Sequence, residues 1–159
     1  MVSGDERAVA PEGLDGRGLR VAVVRASWNE AIVGRLAAGV DRGLVALGVS
    51  DVEQVSVPGC FEIPMACRAV ALSGRADAIV TIGAVIRGET THYELVSEGA
   101  ATGVQRVQLD TGVPIAFGLV TVENDEQALA RSEGPGGHNV GEEAALVAVQ
   151  MARLVADWS

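Results

Sequence analysis

Residues 78–86 read A-I-V-T-I-G-A-V-I, a stretch whose only polar side chain is Thr81. A strand with one wet face alternates apolar and polar residues. A strand apolar at nearly every position must be covered on both faces. Such strands belong to parallel sheets with helices packed above and below. The stretch stops at Arg87-Gly88, and a helix-like pattern starts after Thr90-Thr91. The reading is a buried strand, a tight turn and a helix start.

Three further runs are expected as strands: Leu19–Val24, Val52–Val57 and Val113–Val122. Periodicity predicts helices over about residues 30–48, 62–72, 92–107 and 141–157, with a short one in E-N-D-E-Q-A-L-A-R. Ser27 or Asn29 is expected to cap the first helix and Gly48 to stop it. The β-α-β-α-β-α-β-α-α order predicts a three-layer α/β/α sandwich on a four-stranded parallel sheet, with right-handed crossovers. Residues 1–18, polar and rich in Gly, Asp and Glu, are expected as a mobile arm ahead of one domain over 19–158. Gly99 and Gly103 share a helix face at i, i+4 and predict close helix-to-helix packing, within the chain or between subunits. The last helix is apolar around most of its circumference and is expected to be buried on more than one side.

Charge narrows the chemistry. The formal net charge is −9, and no arginine cluster offers a basic face, so neither nucleic acid nor an anionic membrane is an expected partner. All 12 basic residues are arginine, which removes Schiff-base chemistry on a lysine of this chain and leaves arginine as the permanent cation for a phosphate. Two cysteines, Cys60 and Cys67, make no disulfide scaffold, and no metal-ligand spacing occurs. No secretory signal or membrane-spanning run is evident, which predicts a cytoplasmic protein.

The polar and aromatic residues fall after the strands: S-W-N, P-G-C-F-E, R-G-E-T-T-H and T-V-E-N-D. In a parallel sheet these exits share the edge where ligands bind. In R-G-E-T-T-H, Gly88 permits unusual backbone conformations and Thr90 or Thr91 can cap the helix. Free N–H groups at that helix start suit an anion such as phosphate. His92 stands in the first turn, and an imidazole, with its unperturbed pKa of about 6.5, can both take and give a proton near neutrality. No Ser-x-Gly elbow is present, and neither cysteine has a basic neighbour in sequence. Positioning and proton transfer are therefore expected rather than a covalent intermediate. Trp28 reads equally as a plug over the sheet or a ligand platform, Cys60 and Phe61 as core or lining, and Arg131 as a surface or a phosphate-binding arginine. Phe117, inside the fourth strand, should lie lower or face another side.

Five motifs carry a resemblance: S-W-N-E (27–30), P-G-C-F-E-I-P (58–64), G-A-V-I-R-G-E-T-T-H (83–92), F-G-L-V-T-V-E-N (117–124) and E-Q-A-L-A-R (126–131). In this order and spacing they resemble the 6,7-dimethyl-8-ribityllumazine synthase family over about residues 18–157. The resemblance implies a flavodoxin-like fold and a transferase of riboflavin biosynthesis that uses no cofactor or metal. Its substrates would be 5-amino-6-(D-ribitylamino)uracil and 3,4-dihydroxy-2-butanone 4-phosphate, and its products the lumazine, phosphate and water. It implies that Trp28 stacks on the pyrimidine and that Cys60, Phe61 and Glu62 meet the ribityl chain and ring. Ala84, Val85 and Ile86 would offer backbone contacts to the uracil, Glu89 and Thr90 would form the phosphate turn, and His92 would move the proton. Phe117 and Arg131 would reach the site from an adjacent subunit, Phe117 to the aminouracil and Arg131 to the phosphate. The implied assembly is a homo-oligomer, a pentamer or a multiple of pentamers, with the glycine-bearing helices on a five-fold axis and riboflavin synthase as a further partner. One departure stands out. Asn139-Val140-Gly141 replaces the Asn-Lys-Gly of many members, which removes a cation near the phosphate. The alternative is a catalytically weakened homologue that forms shells or binds a flavin or lumazine.

Overall fold

The four apolar runs pair side by side in one parallel sheet of order β2-β1-β3-β4. The structure, a computed structural model, describes residues 7–159. Its strands are β1 Arg20–Ala26, β2 Asp51–Val57, β3 Ala78–Ile86 and β4 Ile115–Val122. The helices are α1 Glu30–Ala46, α2 Ile63–Leu72, α3 His92–Thr111, α4 Asp125–Ala130 and α5 Val140–Asp157, with a 3-10 turn at Cys60–Glu62 before α2. The α/β three-layer expectation holds.

β3 lies between β1 and β4 and is buried except at Ile86. Its alternate side chains enter two cores. Val80, Ile82 and Ala84 face the α1/α5 side with Val33, Leu36 and Val149. Ile79 and Val85 face the α2/α3 side with Ile63, Cys67 and Val104. Thr81, the polar exception, donates its hydroxyl to the Ala116 carbonyl at 2.8 Å, so its burial leaves no orphan donor. β2 is an edge strand with mostly exposed residues, which explains its polar content.

α3 runs four residues past the expected end near Val107. Its apolar periodicity fades in Q-L-D-T, but the backbone continues until Gly112 adopts φ 74° and closes the helix with a bond to the Gln108 carbonyl. Of the expected arm, residues 1–6 lie outside the described residues. Beyond them, Ala8 N–H donates to Glu143 at 3.0 Å, Gly16 N–H to the Leu47 carbonyl at 2.7 Å, and Arg153 to the Asp15 and Arg17 carbonyls at 2.8 Å. α5 buries one face through Ala144, Ala145, Ala148 and Val149, and within a single chain leaves Val147, Leu154 and Val155 exposed. Val140, at its first turn, is buried in the core. Among the described residues no helix is long and apolar enough to cross a membrane.

The first connection, β1 to β2, moves to one side of β1, and the path then returns across it to β3 on the other side. Loops leaving β1 and β3 therefore diverge, and a crevice opens between them at the carboxyl ends of the strands.

Candidate active site

A cleft of about 450 Å³ occupies that crevice. Ala26, Trp28 and Asn29 enter from the β1 exit, Gly59 to Glu62 from the β2 exit, Ala84 to Ile86 from β3, and His92, Leu95 and Val96 from α3. Of the residues singled out in the sequence, the cleft gathers Trp28, Cys60, Phe61, Glu62, Ala84, Val85, Ile86 and His92. Glu89 and Thr90 lie in the adjoining turn, where the Thr90 hydroxyl accepts the His92 N–H at 3.3 Å. Phe117 is half-buried on the α2/α3 face of β4, and Arg131 is exposed at the end of α4, donating to the Gln127 carbonyl at 3.0 Å. Neither lines the cleft of its own chain.

Trp28 is 64% exposed, so it is no plug over the sheet. Its ring lies against Gly59, where an added Cβ would stand 2.6 Å from the indole. Glycine there lets an aromatic face rest on the backbone. Asn29 does not cap α1 with its side chain as expected. It takes a left-handed conformation, φ 62° and ψ 45°, and its amide donates to the Ala84 carbonyl at 2.9 Å. Short polar asparagine tolerates that region better than most residues. The bond ties the β1 corner to the end of β3 and belongs to the cleft wall, a role missed because only capping was considered for Asn29. Leu95 and Val96 were missed too, although they sit at i+3 and i+4 from His92 and so share its face.

The glycine pair of α3 meets this chain's own residues. A Cβ on Gly99 would lie 2.8 Å from the Phe61 ring, and one on Gly103 2.6 Å from Pro64. Small residues thus let the Cys60–Glu62 turn and α2 press against α3 and hold Phe61 at the cleft rim. Gly88 also differs from expectation. Its φ is not positive, and the position a Cβ would take is open space. Backbone strain is therefore not why glycine stands there.

Three titratable side chains line the cleft: Cys60, Glu62 and His92. Burial pushes the Cys60 thiol up to about 12, against a weaker opposing bond from the Ala84 backbone. The Glu62 carboxylate accepts the Gly59 N–H at 3.1 Å and so serves the turn as well as the cleft. His92 is exposed at the start of α3, open to a ligand.

Cys67, in the same core, is also pushed up to about 12 by burial. In the unfolded chain both thiols ionise near their ordinary 9.0. Between those values the unfolded chain binds fewer protons than the folded one, so stability falls as pH rises. Urea midpoints should drop as pH rises from 9.0 to about 12, and a Cys67→Ala variant should show a shallower drop. Equal slopes in the two proteins would remove the thiols from the alkaline limb.

Fold and cleft together define a parallel α/β protein with an open cleft at its topological switch point, beside the strand-to-helix turn between β3 and α3. Comparison with known proteins narrows this class. The chain belongs to the 6,7-dimethyl-8-ribityllumazine synthase family, whose model matches residues 18–156. It is 47% identical over 143 residues to the 6,7-dimethyl-8-ribityllumazine synthase of Paraburkholderia phymatum, covering 89% of this chain and 80% of that one. The protein of that name from Cupriavidus necator is 47% identical over 148 residues, covering 92% of this chain and 86% of that one. The one from Paraburkholderia phytofirmans is 48% identical over 143 residues, covering 89% and 82%.

Proposed function

We propose that this chain condenses 5-amino-6-(D-ribitylamino)uracil with 3,4-dihydroxy-2-butanone 4-phosphate, releasing 6,7-dimethyl-8-ribityllumazine, phosphate and water in cytoplasmic riboflavin biosynthesis. The observation that carries it is the cleft of this family member, where an open aromatic face and an imidazole flank three strand-end peptides. In this reading residues 19–158 act as one unit. Trp28 stacks on the pyrimidine, the Ala84 to Ile86 peptides bond the uracil, and Cys60, Phe61 and Glu62 follow the ribityl chain. The turn of Glu89 and Thr90 takes the phosphate, and the open space over Gly88 lets that anion approach the backbone closely.

The amine and the ketone must lose water, and phosphate must leave, so protons have to be moved. Among the titratable lining groups, Cys60 is held protonated and Glu62 is engaged by Gly59. His92, exposed at the start of α3, is the group this reading gives the proton to. No metal or cofactor has a part in this scheme. A direct assay of lumazine formation from the two substrates tests it, and a protein that binds both without turnover would favour the weakened homologue.

The same reading makes the working unit a homo-oligomer, a pentamer or a multiple of pentamers. Phe117 and Arg131, which do not line this cleft in their own chain, then complete a neighbour's. Exposed Met65, Leu109, Val147 and Leu154 supply apolar area for such contacts. Arg131→Ala should raise KM for the sugar phosphate with less effect on the pyrimidine. Arg131→Ala subunits mixed with His92→Ala subunits should regain activity, because some interfaces then hold both native residues. Mixed oligomers confirmed by mass but without regained activity would rule out the shared site.

A further inference from the structure

Arg87 opens the anion turn, and as a cation it is the obvious candidate to touch a phosphate there. Its surroundings argue otherwise. Its N–H extends the β3–β4 pairing by donating to the Val122 carbonyl at 2.8 Å. Its guanidinium pairs with Glu94 in the first turn of α3 and, through Nε, with Glu123 at the β4 exit at 2.8 Å. The same guanidinium lies 4.3 Å from the centre of the Tyr93 ring, which fixes its plane. Two carboxylates and an aromatic face thus occupy the fork. Glu94 depends on this contact, because its other oxygen, Oε2, is shut off from solvent and meets no donor among the described residues. The bond to Glu94 holds the Arg87 guanidinium above its ordinary pKa, with a further contribution from Glu123, and the Glu94 carboxyl is held below its own.

The geometry points to Arg87 as a positioning residue that staples the start of the turn at residues 88–91 to α3 through Glu94 and to the β4 exit through Glu123, and leaves the phosphate to the backbone and to other cations. This rests on the proposed placing of the phosphate and deepens it. The staple spans Glu89, Thr90 and His92, so it sets the direction of the turn's N–H groups and of α3 where His92 begins. Glu123 precedes Asn124, whose side chain caps α4 by accepting the Gln127 N–H at 2.9 Å. The same arginine therefore ties the turn to the helix that ends at Arg131.

Arg87→Gln, Glu94→Gln and the double variant decide this. Amide hydrogen exchange over residues 87–95 should speed up in each single variant, and the double variant should be no faster than Arg87→Gln. Binding of inorganic phosphate, measured by calorimetry, should weaken about tenfold in both single variants, as expected when oriented donors are misplaced. A guanidinium that touched the phosphate itself would be freed by Glu94→Gln and would bind more tightly, and that result overturns the assignment. So does exchange that stays at the wild-type rate in both single variants. Failure of the wild-type protein to bind phosphate would instead withdraw the phosphate site, while the exchange data would still decide whether Arg87 is a staple.

Discussion

Replacing His92 with alanine is expected to lower turnover by about 10² to 10⁴, the usual span for a lost general acid–base group. The expectation rests on elimination within the cleft. Water and phosphate leave during the condensation, and each departure needs a proton moved at a defined place. The Cys60 thiol, up at about 12, stays protonated through the neutral range. Glu62 is held by the Gly59 N–H at 3.1 Å. The His92 imidazole lies open at the cleft with no hydrogen bond to its ring among the described residues, and imidazole is the commonest general acid–base group. Because it is exposed, its loss removes no core packing, so the melting temperature and the particle mass should not change. Steady-state rates with both substrates, measured beside these controls, test the point. Wild-type turnover in His92→Ala would take the residue out of the mechanism.

The largest loss of stability is expected from Gly141→Ala, far from the cleft. Gly141 lies in the first turn of α5, where that helix crosses α1. An added methyl would overlap the Leu36 carbonyl oxygen and stand 2.9 Å from its carbon. Those are backbone atoms and cannot rotate aside, so α1 must move. That helix carries Val33, Leu36, Val40 and Leu44, all buried against the sheet. Overpacking of this kind costs about 3 kcal/mol or more. The gain from alanine over glycine in a helix is about 1 kcal/mol. The clash wins, and a chain of this size should lose very roughly 4–8 °C in melting temperature for a net loss of about 2 kcal/mol. Gly134→Ala is the control. Its φ is not positive and nothing lies near its Cβ position, so its melting temperature should barely move. Equal melting temperatures for the two variants would show that the helix crossing has slack.

Much of the site was legible before the fold because its parts are local. The G-A-V-I-R-G-E-T-T-H segment contains its own strand, turn and helix start, and the structure keeps them in those roles as β3, the turn and α3. The strand exits were expected to share one edge, and Trp28, Cys60, Phe61, Glu62 and His92 do line one cleft. What stayed hidden depends on partners distant in sequence. The Asn29 side chain reaches 55 residues along the chain to Ala84, which no capping rule anticipates. The glycine pair of α3 announced a close approach but not that Phe61 and Pro64 would make it. The bond from Arg87 to Glu123 joins two different strand exits, a pairing that no local motif announces.

The sequence by itself determined the layering and the edge on which chemistry happens. Continuous apolar strands can be buried only between two helical layers, and parallel strands all release their loops at the same end. The tertiary structure decided which side chains are free to act. A residue's availability depends on what else occupies its space, and that is a property of neighbours brought together by folding. Only there did Trp28 become an open face, the Cys60 thiol a shielded group and the Arg87 guanidinium a bonded one.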